Sequence, residues 1–90
     1  MNESEFRQLA AAQGYREVDF KDYPADLDGP LHTHDFSVML WVVQGVFSLA
    51  CEDGVRAYRP GESCELAAGV PHAERTGAGG ARVLLGKRTA

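Results

Sequence analysis

Apolar residues along this chain follow two different periods, and the change falls at Gly14. Before it, Phe6, Leu9 and Ala10 stand at i, i+3 and i+4, one apolar stripe on a helix. Asn2 can cap that helix, with Glu5 three residues on as its reciprocal partner. Gly14 is a natural stop just past the end. The spacing predicts a helix over residues 2–13 and an N-terminal helical segment over 1–14. Nothing after it reads as helical.

The remainder is a series of short strand signals separated by turn residues. Val18 and Phe20 alternate with Asp19 and Lys21, and a loop follows through Pro24, Asp26, Asp28, Gly29 and Pro30. Residues 36–43 read as a strand ended by Gln44-Gly45. Residues 46–52 read as a second, ended by the hairpin dipeptide Asp53-Gly54. Residues 55–58 return to Pro60-Gly61, and residues 63–66 are short. Residues 73–76 follow Pro71, and Gly77, Gly79 and Gly80 make a turn before residues 81–86. This rhythm predicts an all-β sandwich or barrel, a single domain over residues 15–90.

Composition narrows the setting. Ninety residues allow one domain, and such a chain has a thin core margin that a homodimer would relieve. Met39 and Trp41 lie on the face opposite Val38 and are the expected partner surface. An apolar fraction of 44% argues against disorder. A net charge of −4, with acids clustered between Glu17 and Asp35, argues against nucleic acid as a partner. The acidic N-terminus has no apolar segment of the kind that directs export, and the longest apolar run, 38–43, suits a strand and not a membrane span. Cys51 and Cys64 read as free thiols in a reducing compartment, so a cytoplasmic protein is expected; a disulfide between them stays open.

The candidate chemistry lies in the histidines. All three fall in two short patterns, His32-Thr33-His34 and Gly69-Val70-Pro71-His72. On a strand, residues i and i+2 point to one face. Two imidazoles side by side, with a third from a distant strand, make up most of a metal coordination sphere.

Here the sequence resembles the cupins, small β-barrels of the double-stranded β-helix or jelly-roll type. Their first motif places a glutamate after an HxH and then a glycine; His32, His34 and Gly45 match it. Their second motif contains glycines and a histidine that Gly61, Gly69 and His72 match in register. The resemblance covers about residues 29–86. Four positions depart from it: Asp26 for glycine, Val38 for glutamate, Ala67 for proline and Thr76 for asparagine. The resemblance implies a site of three histidines, His32, His34 and His72, holding a divalent transition metal. Neutral imidazoles suit zinc, iron, nickel or copper.

Parity gives the Val38 departure a physical meaning. If His32 and His34 point inward, so do Phe36, Val38, Leu40 and Val42, provided no bulge intervenes. An apolar side chain then stands where the usual carboxylate would be. Glu74, two residues after His72, is another source of charge. It can ligate, support a ligand or act as a catalytic base. The plainer alternative, a surface glutamate paired with Arg75 or Arg82, is slightly favoured, because nearness in sequence does not bring a carboxylate within bonding reach. Cys64, in phase with Leu66, can face the interior as a redox or metal group, but is expected to be a small apolar filler.

Three functions compete. The first is a metal-dependent enzyme acting on a small organic molecule, with the oxygenases, isomerases, lyases and decarboxylases of this superfamily as the implied range. The second is a non-catalytic ligand-binding or sensor barrel, which would need a separate partner because the chain leaves no room for a helix-turn-helix region. The third is a metal-free structural dimer that has lost the site.

Overall fold

The computed structural model describes residues 1–89; Ala90, the last residue of the expected barrel, lies outside them. A single helix, α1 (Glu3–Ala12), precedes five strands: β1 (Arg16–Tyr23), β2 (Phe36–Cys51), β3 (Gly54–Tyr58), β4 (Ser63–Leu66) and β5 (His72–Thr89). This is the expected all-β fold with one short N-terminal helix. The predicted cap forms in full. The Asn2 side chain accepts from the Glu5 N–H at 2.8 Å, and Glu5 Oε1 accepts from the Asn2 N–H at 2.9 Å.

All pairings are antiparallel, in the order β1-β5-β2-β3, with β4 also against β2. The spine is the pair of long strands β2 and β5, which pair from Phe36↔Thr89 to Cys51↔His72. Breaks were expected at Gln44-Gly45 and at Gly77–Gly80, yet both strands run through. The ladder absorbs the bends as two irregularities, between Val42 and Gln44 and between Gly45 and Phe47. Glycine makes this possible. Gly45 and Gly80 hold φ of +76° and +66°, and a Cβ on Gly45 would lie 2.1 Å from the Gly80 carbonyl oxygen. A side chain at that crossing would force the two strands apart. These glycines bend the strands where the sequence pattern suggested an end to them.

The inward face follows the predicted alternation. Val38, Leu40 and Val42 join Phe47, Leu49 and Val83 in one core, with Phe36, Cys51 and Cys64 packed against it. On β1 the alternation is less simple. Val18 packs on the outer side and Phe20 is partly exposed beneath Arg7 and Arg82, while Tyr23 joins the inner core.

The expected partner surface on the outer face is already covered. Met39 is buried beneath α1 with Phe6, Ala10, Tyr15 and Leu84, and Trp41 packs beside them. The Phe6 and Trp41 rings stack at 6.4 Å, and Trp41 Nε1 donates to the Met1 carbonyl at 3.1 Å. The helix stripe read from sequence and the apolar strand face read from sequence are each other's partners. Met39 and Trp41 therefore give no ground for a homodimer. Phe6 is fully buried at this contact. Phe6→Ala should cost about 3–4 kcal/mol in urea unfolding and shift Trp41 fluorescence to the red. An unchanged emission spectrum would mean that the helix does not lie on this face.

Candidate metal centre

The HxH segment lies just ahead of β2 and not within it. His32 makes an isolated bridge to His72, the first residue of β5. Each of the two N–H groups donates to the other's carbonyl at 2.9 Å. The Gly69 N–H donates to the His34 carbonyl at 2.8 Å, so the turn leading into β5 hangs from the same segment. His72 also opposes Cys51, the last residue of β2. The third histidine is thus placed by backbone pairing on both sides, and the residue is 1% exposed.

Two of the rings have a defined tautomer. His32 Nδ1 lies 2.7 Å from the Pro30 carbonyl oxygen, and His72 Nδ1 lies 2.9 Å from the Val70 carbonyl oxygen. A carbonyl can only accept, so each Nδ1 carries the hydrogen. In the neutral ring Nε2 is then left with a lone pair. Both histidines use the carbonyl two residues back, from Pro30-Leu31-His32 and Val70-Pro71-His72. The same local device appears twice.

Both Nε2 atoms face Glu74. Its Oε1 lies 3.3 Å from His32 Nε2 and 3.6 Å from His72 Nε2. The plainer expectation for Glu74 fails: Arg75 pairs with Asp28 and Arg82 with Asp22. The reason is the regular alternation of β5, which turns residues 72 and 74 to one face. His34 completes the group. One donor atom from each of His32, His34, His72 and Glu74 lies within 4.8 Å of the others. The ring centroids are 4.3 Å apart for His32 and His72, 4.8 Å for His32 and His34, and 4.9 Å for His34 and His72.

The group opens into a cavity of about 170 Å³ whose apolar wall includes Val38, Leu40, Phe47 and Leu49. Val38 faces this cavity, as parity required. Tyr23 and Cys64 also line it. Burial pushes the Tyr23 hydroxyl above its ordinary range, with the Glu74 charge adding to the effect. Burial pushes the Cys64 thiol up to about 12 against a weaker opposing pull from Tyr58. Cys64 is therefore a protonated, apolar filler, and both cysteines are free. Sequence reasoning missed Tyr23, Lys21 and Lys87, which line the same cavity. The available signal was parity on β1, where Lys21 and Tyr23 share a face.

No protein-family model matches the sequence, and no curated protein matches it. Solved structures do. A protein of unknown function from Rhizobium leguminosarum bv. viciae superposes with a TM-score of 0.75 at 16% identity, over 81% of this chain and 69% of that one. An RmlC-like cupin from Shewanella frigidimarina gives 0.67 at 20% identity, over 79% of this chain and 63% of that one. Oxalate decarboxylase from Bacillus subtilis, a protein with Mn(II) centres, gives 0.67 at 19% identity, over 78% of this chain and 20% of that one. This chain thus spans less than two thirds of the last two. The fold is the cupin jelly-roll, as the motifs implied. The histidines and glutamate line the cavity within it. Among the described residues no helix is long and apolar enough to cross a membrane.

Two outcomes follow from the electrostatics. Burial holds the His34 imidazole below its usual 6.5, and His72, His32 and Lys87 add to this against an opposing pull from Glu74. In metal-free protein the His34 ring protons should titrate below 6.5 by NMR. Its contribution to stability is complete above 6.5, the unfolded value, and is lost as pH falls through the folded value. A midpoint at or above 6.5 would contradict this. Cys64 should resist iodoacetamide in native protein at about pH 8 and react once the chain is unfolded; rapid native alkylation would show an accessible thiolate.

Proposed function

We propose that His32, His34, His72 and Glu74 together hold one divalent transition metal, and that the chain is a metal-dependent enzyme acting on a small organic molecule. One observation carries this reading. With Nδ1 of His32 and of His72 committed to backbone carbonyls, their Nε2 lone pairs both face a carboxylate oxygen at 3.3 and 3.6 Å. Acceptors packed against acceptors need a cation or a proton between them. A third imidazole within the same 4.8 Å makes a metal ion the occupant that satisfies all four groups.

Glu74 gives the donor set a charge that the three histidines lack. A site of three imidazoles and one carboxylate suits zinc, iron, nickel or copper, and the carboxylate admits manganese. The Mn(II) centres of the oxalate decarboxylase matched above are consistent with that range. When bound, the metal supplies Lewis acidity or oxygen activation. The protein's own residues do the rest. The two Nδ1 hydrogen bonds fix the orientation of the His32 and His72 rings. The apolar wall formed by Val38, Leu40, Phe47 and Leu49 limits water beside the reacting molecule. The Tyr23 hydroxyl, protonated at neutral pH, can donate a hydrogen bond to an oxygen in the cavity. Dioxygenase, isomerase and lyase chemistry are all compatible with this layout. A non-catalytic ligand-binding barrel shares every feature except turnover.

The test is metal analysis of protein purified without an affinity tag or chelator. The parent should carry one transition-metal ion per chain. His72→Ala should lose metal affinity by orders of magnitude while keeping its circular dichroism spectrum, because the barrel's core does not depend on the ion. Glu74→Gln should weaken binding by about 10- to 100-fold. A parent that takes up no ion from any of the five metals would leave the metal-free structural reading. Unchanged affinity in Glu74→Gln would place that carboxylate outside the ligand set.

A further inference from the structure

The chain has nine basic residues but only two lysines, Lys21 and Lys87, and both line the mouth of the histidine–glutamate cavity. Four of the arginines are paired with acids: Arg7 with Glu3, Arg75 with Asp28, Arg82 with Asp22 and Arg88 with Glu65. Neither lysine has an ion-pair partner among the described residues. Each ammonium instead rests on an aromatic ring of the cavity wall. Lys21 Nζ lies 4.9 Å from the Tyr23 ring centroid, and Lys87 Nζ lies 4.8 Å from that of Phe36. Phe36 in turn stacks on His34 at 4.6 Å. In a protein of net charge −4, two uncompensated cations at one cavity mouth are a local reversal of field.

We propose that this cavity takes a small organic carboxylate, with the anionic group held by Lys21 and Lys87 and the carbon skeleton against the apolar wall. The proposal rests on the metal reading above only for what happens at the inner end, where a second oxygen of the ligand meets the histidine–glutamate centre. The lysines stand on different strands, β1 and β5, and reach the mouth from either side of Leu85, which also lines it. Glu17 and Asp19 line the neighbouring groove together with both lysines but lie beyond ion-pair distance of either. The register explains why Lys87 is free. Its direct partner on β2 is Val38, so an apolar side chain sits where an acid would neutralise it. A carboxylate fits better than a phosphate. Phosphate sites use converging backbone N–H groups at a helix N-terminus or glycine nest, and none of the cavity-lining residues belongs to α1.

The probes are 3-hydroxybutyrate, its neutral amide 3-hydroxybutyramide, and methyl phosphate. Binding is measured by calorimetry on metal-free and on metal-loaded parent, Lys21→Gln, Lys87→Gln and the double variant, with metal content recorded for each. Both lysines are exposed, so the variants should fold. 3-Hydroxybutyrate should bind the parent at least about tenfold more tightly than the amide. Each single variant should lose about tenfold of that affinity, the double variant more, and binding of the amide should not change. Metal content should be the same in all four proteins. Acylation with an acetyl succinimidyl ester gives a second readout, because mass spectrometry resolves only two lysines and the N-terminal amine. 3-Hydroxybutyrate should protect both lysines and leave the N-terminus reactive. The proposal is overturned if the amide binds as tightly as the acid, if the lysine variants match the parent, if methyl phosphate binds more tightly, or if no probe binds at millimolar concentration. A parent that takes up no metal yet binds 3-hydroxybutyrate through its lysines would overturn the metal reading and uphold this one. Lysine-independent binding to metal-loaded protein alone would do the reverse.

Discussion

The site depends on the reciprocal backbone pair between His32 and His72. Two hydrogen bonds of 2.9 Å tie the segment before β2 to the start of β5. Among the described residues they are the HxH segment's only strand-type pairing; its other main-chain tie is the bond from the Gly69 N–H to the His34 carbonyl. The pair sets the two α-carbons face to face, which brings the ring centroids to 4.3 Å. The carbonyls at Pro30 and Val70 then orient each ring through Nδ1. Each step uses the main chain, so the placement of these two donors does not rely on the packing of long, flexible side chains. Donors held by main-chain hydrogen bonds have less freedom to lose when a ligand binds.

How far the sequence disclosed this arrangement depended on whether the signal was local. The helix was legible because its cap, stripe and stop all lie within a dozen residues, and the capping box formed as read. The inward set Phe36, Val38, Leu40 and Val42 was legible because a strand has a strict period of two and no bulge falls before Val42. The continuity of β2 and β5 was not, because a glycine at a bulge and a glycine at a turn look alike in sequence. Gly45 and Gly80 are told apart from turn residues only by their mutual approach, a contact 35 positions apart in the chain. The covering of Met39 and Trp41 was hidden for a similar reason. An apolar strand face shows that something must cover it, and the sequence does not say that α1 is near enough to do so.

The three histidines were legible as a candidate group, from their spacing and from the motifs they match. Glu74 was only half legible. Its face followed from parity with His72, but its distance from His32 depended on the bridge between two segments some 40 residues apart. Lys21 and Tyr23 were missed because β1 was recognised from Val18 and Phe20, which turned out to face away from the cavity. A lysine facing the interior side of a strand contradicts the usual inside–outside rule. Here it sits at the rim, where its stem lies along apolar surface and its ammonium reaches water.

Val38 and Glu74 are best understood together. An acid at position 38 would stand directly across the ladder from Lys87. It would draw that ammonium into an internal pair, and the cavity would lose a cation at its mouth. Placing the carboxylate at 74 separates the two charges along a single strand. β5 carries His72 and Glu74 before its bend at Gly80, and Leu85 and Lys87 after it. The bend returns both ends of the strand to one cavity, with the anion beside the histidines and the cation at the rim. The polarity of the site, negative within and positive at the mouth, is therefore a property of how one strand is bent. Gly80 permits that bend because a side chain there would meet the Tyr23 carbonyl oxygen at 2.6 Å. The same glycine that seemed to end a strand thus sets the relation between the two ends of the site.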